Sequence, residues 1–91
     1  MSKKRDRLEV IYDFLKIIRD NQNSIKPTPL LRQSNLSSQS FLEYYHELLS
    51  KEFVKEVADS NRRRYITLTD KGFNFLDKYG LIKGLINEFE L

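Results

Sequence analysis

The chain has 91 residues, enough for one domain that buries about 60–70% of the surface its unfolded chain exposes. Its 40% hydrophobic content, with five tyrosines and six phenylalanines, supplies a single core and excludes a disordered chain. Sixteen Lys+Arg against thirteen Asp+Glu leave a net charge of only +3, and the absence of cysteine excludes disulfides, thiolate metal sites and thiol catalysis.

In residues 6–20, "DRLEVIYDFLKIIRD", Leu8, Ile11, Tyr12, Leu15 and Ile18 recur at helical spacing. Val10, Phe14 and Ile17 form a second apolar stripe, which leaves Glu9, Asp13, Lys16 and Asp20 as the polar face. One packing partner needs a single stripe, so this helix is expected to have two neighbours, one of which can be another subunit. "NQNS" breaks the pattern. In "IKPTPLLRQSN", Thr28 is a good N-cap and Pro29 suits the first helical position, where its missing N–H costs nothing. A short helix is expected from Pro29 to about Ser34, ended by Ser34 and Asn35. Leu36 reads as the apolar peg of a turn and Ser37 as the cap of the next helix. That helix, "SQSFLEYYHELLSKE", spaces Phe41, Leu42, Tyr45, Leu48 and Leu49 for burial and turns Gln39, Ser40, Glu43, Glu47 and Ser50 outward. Two short helices joined by a tight turn form a helix-turn-helix.

Two β-prone runs follow, "FVKEVA" and "RYITL", separated by the turn formers of "DSNR", among which Asn61 tolerates a left-handed backbone. Ile66 and Leu68 are expected to face inward. Thr69 caps a last helix, and Gly72 near its start permits close approach of a neighbouring element. Phe75, Tyr79, Ile82, Ile86 and Phe89 then fall at intervals of 4, 3, 4 and 3, a heptad seam of barely two repeats. Gly80 and Gly84 weaken that helix and can kink it. The order helix, helix, helix, hairpin, helix is that of a winged helix-turn-helix, a mainly α fold with a small β-hairpin.

The stretches "RDRLEVIYDFLKII", "NLSSQSFLEYYHELLSKEFV" and "RRYITLTDKGFNFLDKY" together cover nearly the whole chain. On them it resembles the small archaeal winged-helix DNA-binding proteins and transcriptional regulators. The resemblance implies one winged-helix domain over residues 1–91. Residues 1–5 would be a basic N-terminal arm, and residues 70–90 a long C-terminal helix that dimerises as an antiparallel coiled coil. It also implies double-stranded DNA as partner, with the second helix of the motif in the major groove. Relatives often carry lysines in the middle of that helix, where this chain has Glu43 and Tyr44.

Base reading would fall to Gln39, Ser40 and Tyr44, with Glu43 beside them and Ser38 also among the DNA-facing residues, because the N-terminal, outward residues of a recognition helix meet base edges. The alternative is an ordinary solvated face, which Glu43 and Glu47 suit. Arg62, Arg63 and Arg64 at the wing would meet phosphate or a minor groove; otherwise they guard an edge strand against aggregation. Lys26, Thr28 and Arg32 flank the start of the second helix, whose N-terminal amides favour a phosphate. Lys3, Lys4, Arg5 and Arg7 form either a backbone-binding arm or a solubilising tail. Phe75, Tyr79, Ile82, Ile86 and Phe89 are the expected dimer seam. The lone histidine, His46, has no ligand neighbour in sequence, so no metal, cofactor or small-molecule ligand is expected.

Three functions remain open: a homodimeric, sequence-preferring transcriptional regulator, a winged-helix protein-interaction module whose Glu43, Glu47 and Glu52 meet basic partners, and an architectural chromatin protein. Enzyme function lacks support, with one histidine, no phosphate-binding glycine loop and no paired acids. No apolar run approaches the roughly 20 residues of a membrane span, and "MSKKRDR" has no apolar stretch behind it. A cytoplasmic, nucleoid-associated protein is expected.

Overall fold

The structure, a computed structural model, describes residues 6–91. Four helices and one hairpin follow in the order α1 (Arg7–Asp20), α2 (Pro27–Ser34), α3 (Ser38–Ser50), β1 (Val54–Ala58), β2 (Arg64–Leu68) and α4 (Asp70–Glu88). Asp6 caps α1 by accepting from the Glu9 amide at 2.8 Å. Both apolar stripes of α1 are used within the chain, where it packs against α2, α4 and β2. Val10, Ile11, Phe14, Leu15 and Ile18 are buried and only Leu8 stays half-exposed. Where two neighbours are expected for this helix, it has three within its own chain.

α2 begins two residues earlier than expected. Lys26 is the cap residue, without a side-chain hydrogen bond, and Pro27 takes the first position. An earlier start places both prolines in the first turn, where helix amides have no intrahelical partner to lose. Thr28 is thus inside the helix and is not its cap. At the other end Asn35 adopts the left-handed conformation, φ 59°. The buried Ser34 hydroxyl closes the turn, donating to the Leu31 carbonyl at 2.7 Å and accepting from the Leu36 amide at 3.3 Å. Leu36 packs partly into the core and Ser37 caps α3, accepting from the Ser40 amide at 3.1 Å.

β1 and β2 pair antiparallel, from Val54 opposite Leu68 to Ala58 opposite Arg64. Ile66 and Leu68 are buried as the alternation requires. The base of the hairpin is stitched to the α1–α2 connection. Ile25 and Ile66 exchange backbone bonds of 3.2 and 2.8 Å, and the Leu68 amide donates to the Asn23 side chain at 2.7 Å. Thr69 caps α4 by accepting from the Gly72 amide at 3.2 Å. A Cβ on Gly72 would stand 2.4 Å from the Phe53 carbonyl oxygen, which explains a glycine inside a helix.

The core is one cluster: Phe14 stacks on Phe41 (5.4 Å) and Phe41 on Tyr45 (5.8 Å), with Leu15, Ile18, Leu30, Leu48, Ile66 and Leu76 around them. Burying each such side chain contributes about 1.5–3 kcal/mol. α4 is continuous through Gly80 and Gly84. Its 19 residues, about 28 Å at 1.5 Å per residue, help give the molecule a 49 Å long axis.

Candidate nucleic-acid interface

The inner face of α3 is set by the Phe14–Phe41–Tyr45 stack and by Leu48. The helical period then leaves Ser38, Gln39, Leu42, Glu43, His46 and Ser50 exposed. Of the three residues expected to read bases only Gln39 lies on this stripe, beside Ser38 and Glu43. Ser40 and Tyr44 sit on its flank: Ser40 is half-buried, and Tyr44 packs partly against the core. Leu42, expected in the core, is 51% exposed on the outward stripe. The stack settles which way the helix turns, and Leu42 lies about 100° away from Phe41.

Glu47 is engaged elsewhere. It pairs with Arg7 and, at 2.8 Å, with Lys51, joining the start of α1 to the end of α3. Arg7 therefore has a partner within the fold, while Lys3, Lys4 and Arg5 lie outside the described residues.

The wing turn closes on Asp59. Its side chain accepts from the Asn61 and Arg63 amides at 2.8 and 2.9 Å. Its carbonyl accepts from the Arg62 amide, and its own N–H donates to the Arg63 carbonyl, each at 3.0 Å. This is a type I turn followed by a left-handed residue, a common hairpin loop in which glycine usually takes the left-handed place. Here that residue is Arg62, at φ 63°, one position beyond the expected Asn61. Arg62, Arg63 and Arg64 are all exposed. Among the described residues, no ion pair holds Arg62 or Arg63, whereas Arg64 lies 3.6 Å from the Glu56 carboxylate.

Glu56 also accepts a hydrogen bond from the hydroxyl of Tyr45 on α3. Burial, reinforced by that bond to a carboxylate, pushes the Tyr45 pKa well above the ordinary tyrosine value, so the hydroxyl remains a donor. Helix and wing are thus tied through Tyr45, Glu56 and Arg64. Sequence reasoning missed this link because 11 residues separate Tyr45 from Glu56 and no local period relates them. The only signal was register, since Glu56 opposite Ile66 shares that residue's inward face.

Lys26, Thr28 and Arg32 are exposed along α2. Pro27 and Pro29 carry no N–H, and the Leu30 amide bonds to the Lys26 carbonyl at 3.2 Å. The first turn therefore offers only the Thr28 amide, fewer donors than a helix start normally presents. The Lys26 ammonium lies 6.0 Å over the Tyr65 ring.

The seam of α4 divides in two. Phe75 stacks on Tyr79 (5.4 Å) and meets Phe53 edge-on (5.8 Å), while Tyr79 packs on Tyr12 (5.2 Å). Ile82, Ile86 and Phe89 are exposed, together with Leu81, Leu85 and Leu91, which the heptad reading omitted. Among the described residues there is no cluster of three or more His, Asp or Glu suited to a metal. No described helix is long and apolar enough to cross a membrane.

The model of a family described as winged helix-turn-helix matches residues 4–87. An uncharacterized protein of Methanocaldococcus jannaschii is 31% identical over 77 residues, 85% of this chain and 33% of that protein, so the chain spans about a third of that relative's length. Among solved structures, MepR of Staphylococcus aureus, a transcription regulator of the multidrug efflux pump MepA, superposes with TM-score 0.77 at 15% identity (88% of this chain, 60% of MepR). F93 from STIV, described as a winged-helix DNA-binding protein, gives 0.72 at 16% (87% and 90%). Sso10a-2, a DNA-binding protein from Sulfolobus solfataricus, gives 0.72 at 18% (94% and 87%). At these identities the likeness is one of fold.

Proposed function

Since this chain belongs to the winged helix-turn-helix family, we propose that it binds double-stranded DNA as a homodimeric transcriptional regulator. α3 lies in the major groove, where Gln39 pairs with adenine, and Ser38 and Glu43 complete the reading edge. Arg62 and Arg63 meet phosphate or a minor groove, and Arg64, held by Glu56, stands between wing and helix. Lys26, Thr28 and Arg32 contact the backbone beside α2. The observation that carries this reading is Arg62. A left-handed turn position that glycine would occupy without strain is held by an exposed arginine with no ion pair among the described residues. The left-handed place costs an L-residue about 1–2 kcal/mol, and although Gln22, Glu52 and Glu90 share it, Arg62 is the one that adds an exposed cation at the wing tip.

The exposed apolar end of α4, with Ile82, Ile86 and Phe89 beside Leu81, Leu85 and Leu91, supports dimerisation through this helix. Docking of a basic protein on the acidic side of α3 is less favoured, because Glu47 already has two cationic partners. Selection of bound sequences from random duplex DNA at defined salt tests the reading. An enriched motif supports the regulator, uniform binding an architectural protein, and no binding refutes the proposal.

A further inference from the structure

Between the starts of α2 and α3 lies a hollow of about 190 Å³, lined by Pro27, Thr28, Leu31, Ser38, Phe41 and Leu42. It opens beside the outward stripe of α3, and its walls are mainly hydrocarbon on a face that is otherwise polar. Leu42, half-exposed at its rim, is the one large apolar side chain on that stripe.

We infer that this hollow receives the 5-methyl group of thymine, so that Leu42 makes the protein select A·T pairs at a fixed place in its site. The inference rests on the DNA-binding reading above and adds the chemical class of the base read. In the major groove thymine is the one base whose edge carries an apolar group; the other edges present only hydrogen-bond donors and acceptors. A hydrocarbon hollow among base-reading side chains therefore complements thymine and no other base. The neighbours agree. Gln39 stands three residues before Leu42, on the same face and about 5–6 Å away at helical spacing, and its amide matches the N6 and N7 edge of adenine. Adenine and methyl are thus read side by side. An apolar side chain from another protein is the competing occupant. The hydroxyl-bearing residues Ser38 and Thr28 on its rim and the nearby cations Lys26 and Arg32 suit a nucleic-acid backbone better than an apolar partner.

Deoxyuridine in place of thymidine removes that methyl and leaves the pairing edge intact. The best duplex from the selection is remade with each thymidine replaced in turn, and affinities are compared at one salt concentration. Wild-type protein should lose about fourfold at one or two positions, the worth of one buried methyl, and little elsewhere. Leu42→Ala should bind the thymidine and deoxyuridine duplexes alike. Leu42→Met, which keeps an apolar rim, should retain the discrimination and shows that the site is otherwise intact. Tight binding by the wild type with no position sensitive to the methyl overturns the inference and leaves the DNA-binding reading standing. Discrimination that persists in Leu42→Ala overturns the role of Leu42. Failure to bind any duplex overturns both readings together.

Discussion

Replacing Arg62 with glycine should move stability and DNA binding in opposite directions. At φ 63° the arginine sits where its Cβ crowds the following carbonyl, at a cost of about 1–2 kcal/mol that glycine does not incur. Glycine in turn costs about 0.5–1 kcal/mol in unfolded-chain entropy. The turn's hydrogen bonds to Asp59 come from backbone amides and survive the change. The balance is about 0.5 kcal/mol in favour of glycine, or a rise in Tm of about 2–4 °C for a domain of this size. If the guanidinium contacts one phosphate, the same change flattens the log-affinity against log-salt slope by about 0.9. Arg63→Gly is the control, since Arg63 has no positive φ to relieve and should lose stability by about 0.5–1 kcal/mol. Thermal melts by circular dichroism and salt titrations of DNA binding measure the two arms. If Arg62→Gly melts below the wild type, the strain is not where the geometry puts it. If it melts higher but binds DNA with unchanged slope, the arginine is not kept for DNA.

Gly72→Ala should destabilise by about 1–3 kcal/mol, the cost of forcing a methyl into packed structure, because the Phe53 carbonyl it strikes also accepts from the Thr69 amide. Gly84→Ala, with nothing within 4 Å, should instead gain up to about 1 kcal/mol of helix propensity; urea unfolding distinguishes them, and equal signs would disprove the contact. Asp at both Ile82 and Ile86 should convert a dimer to monomers in sedimentation, and a wild type already monomeric at tens of micromolar, a rough working range for a standard interface, removes the dimer from the proposal. Tyr45 has a folded-state pKa above its unfolded one. Above about pH 10 the unfolded chain therefore loses this proton first and stability falls as pH rises, by at most about 1.4 kcal/mol per unit from this residue. Tyr45→Phe should remove that part of the alkaline slope, and an unchanged slope would contradict it.

Much of the fold is legible in local pattern. Ser37 and Thr69 are caps with the right spacing to the amides they accept from, and Ile66 and Leu68 alternate as a half-buried strand must. Non-local geometry is where the reading fails. Leu42 sits beside Phe41 in an apolar pair, and identity alone assigns both to the core. Only the stack of Phe14 on Phe41 decides that Leu42 looks out. Ile25 contributes a single bridging residue, too short for any period to declare. Pro27 and Pro29 each satisfy the rules for an early helical position, so composition cannot say which begins α2. In the α4 seam, Phe75 and Tyr79 follow the same heptad as Ile82 and Ile86. Their difference lies in Phe53 and Tyr12, which come to meet the first two and leave the others bare.

The two ends of the hairpin are built by different means. At its base, the amides of Ile66 and Leu68 bond to the backbone of Ile25 and the side chain of Asn23, more than forty residues distant in the chain for each pair. At its tip, the amides of Asn61, Arg62 and Arg63 bond only to Asp59. Amide exchange should report the contrast, with Ile66 and Leu68 opening only when the whole domain does and residues 59–63 opening locally. Such a contrast would make the hairpin a stiff shank with a more compliant head held by one aspartate. Under the proposed DNA-binding reading, variation in the surface the arginines meet would be taken up in those few residues while α3 stays fixed.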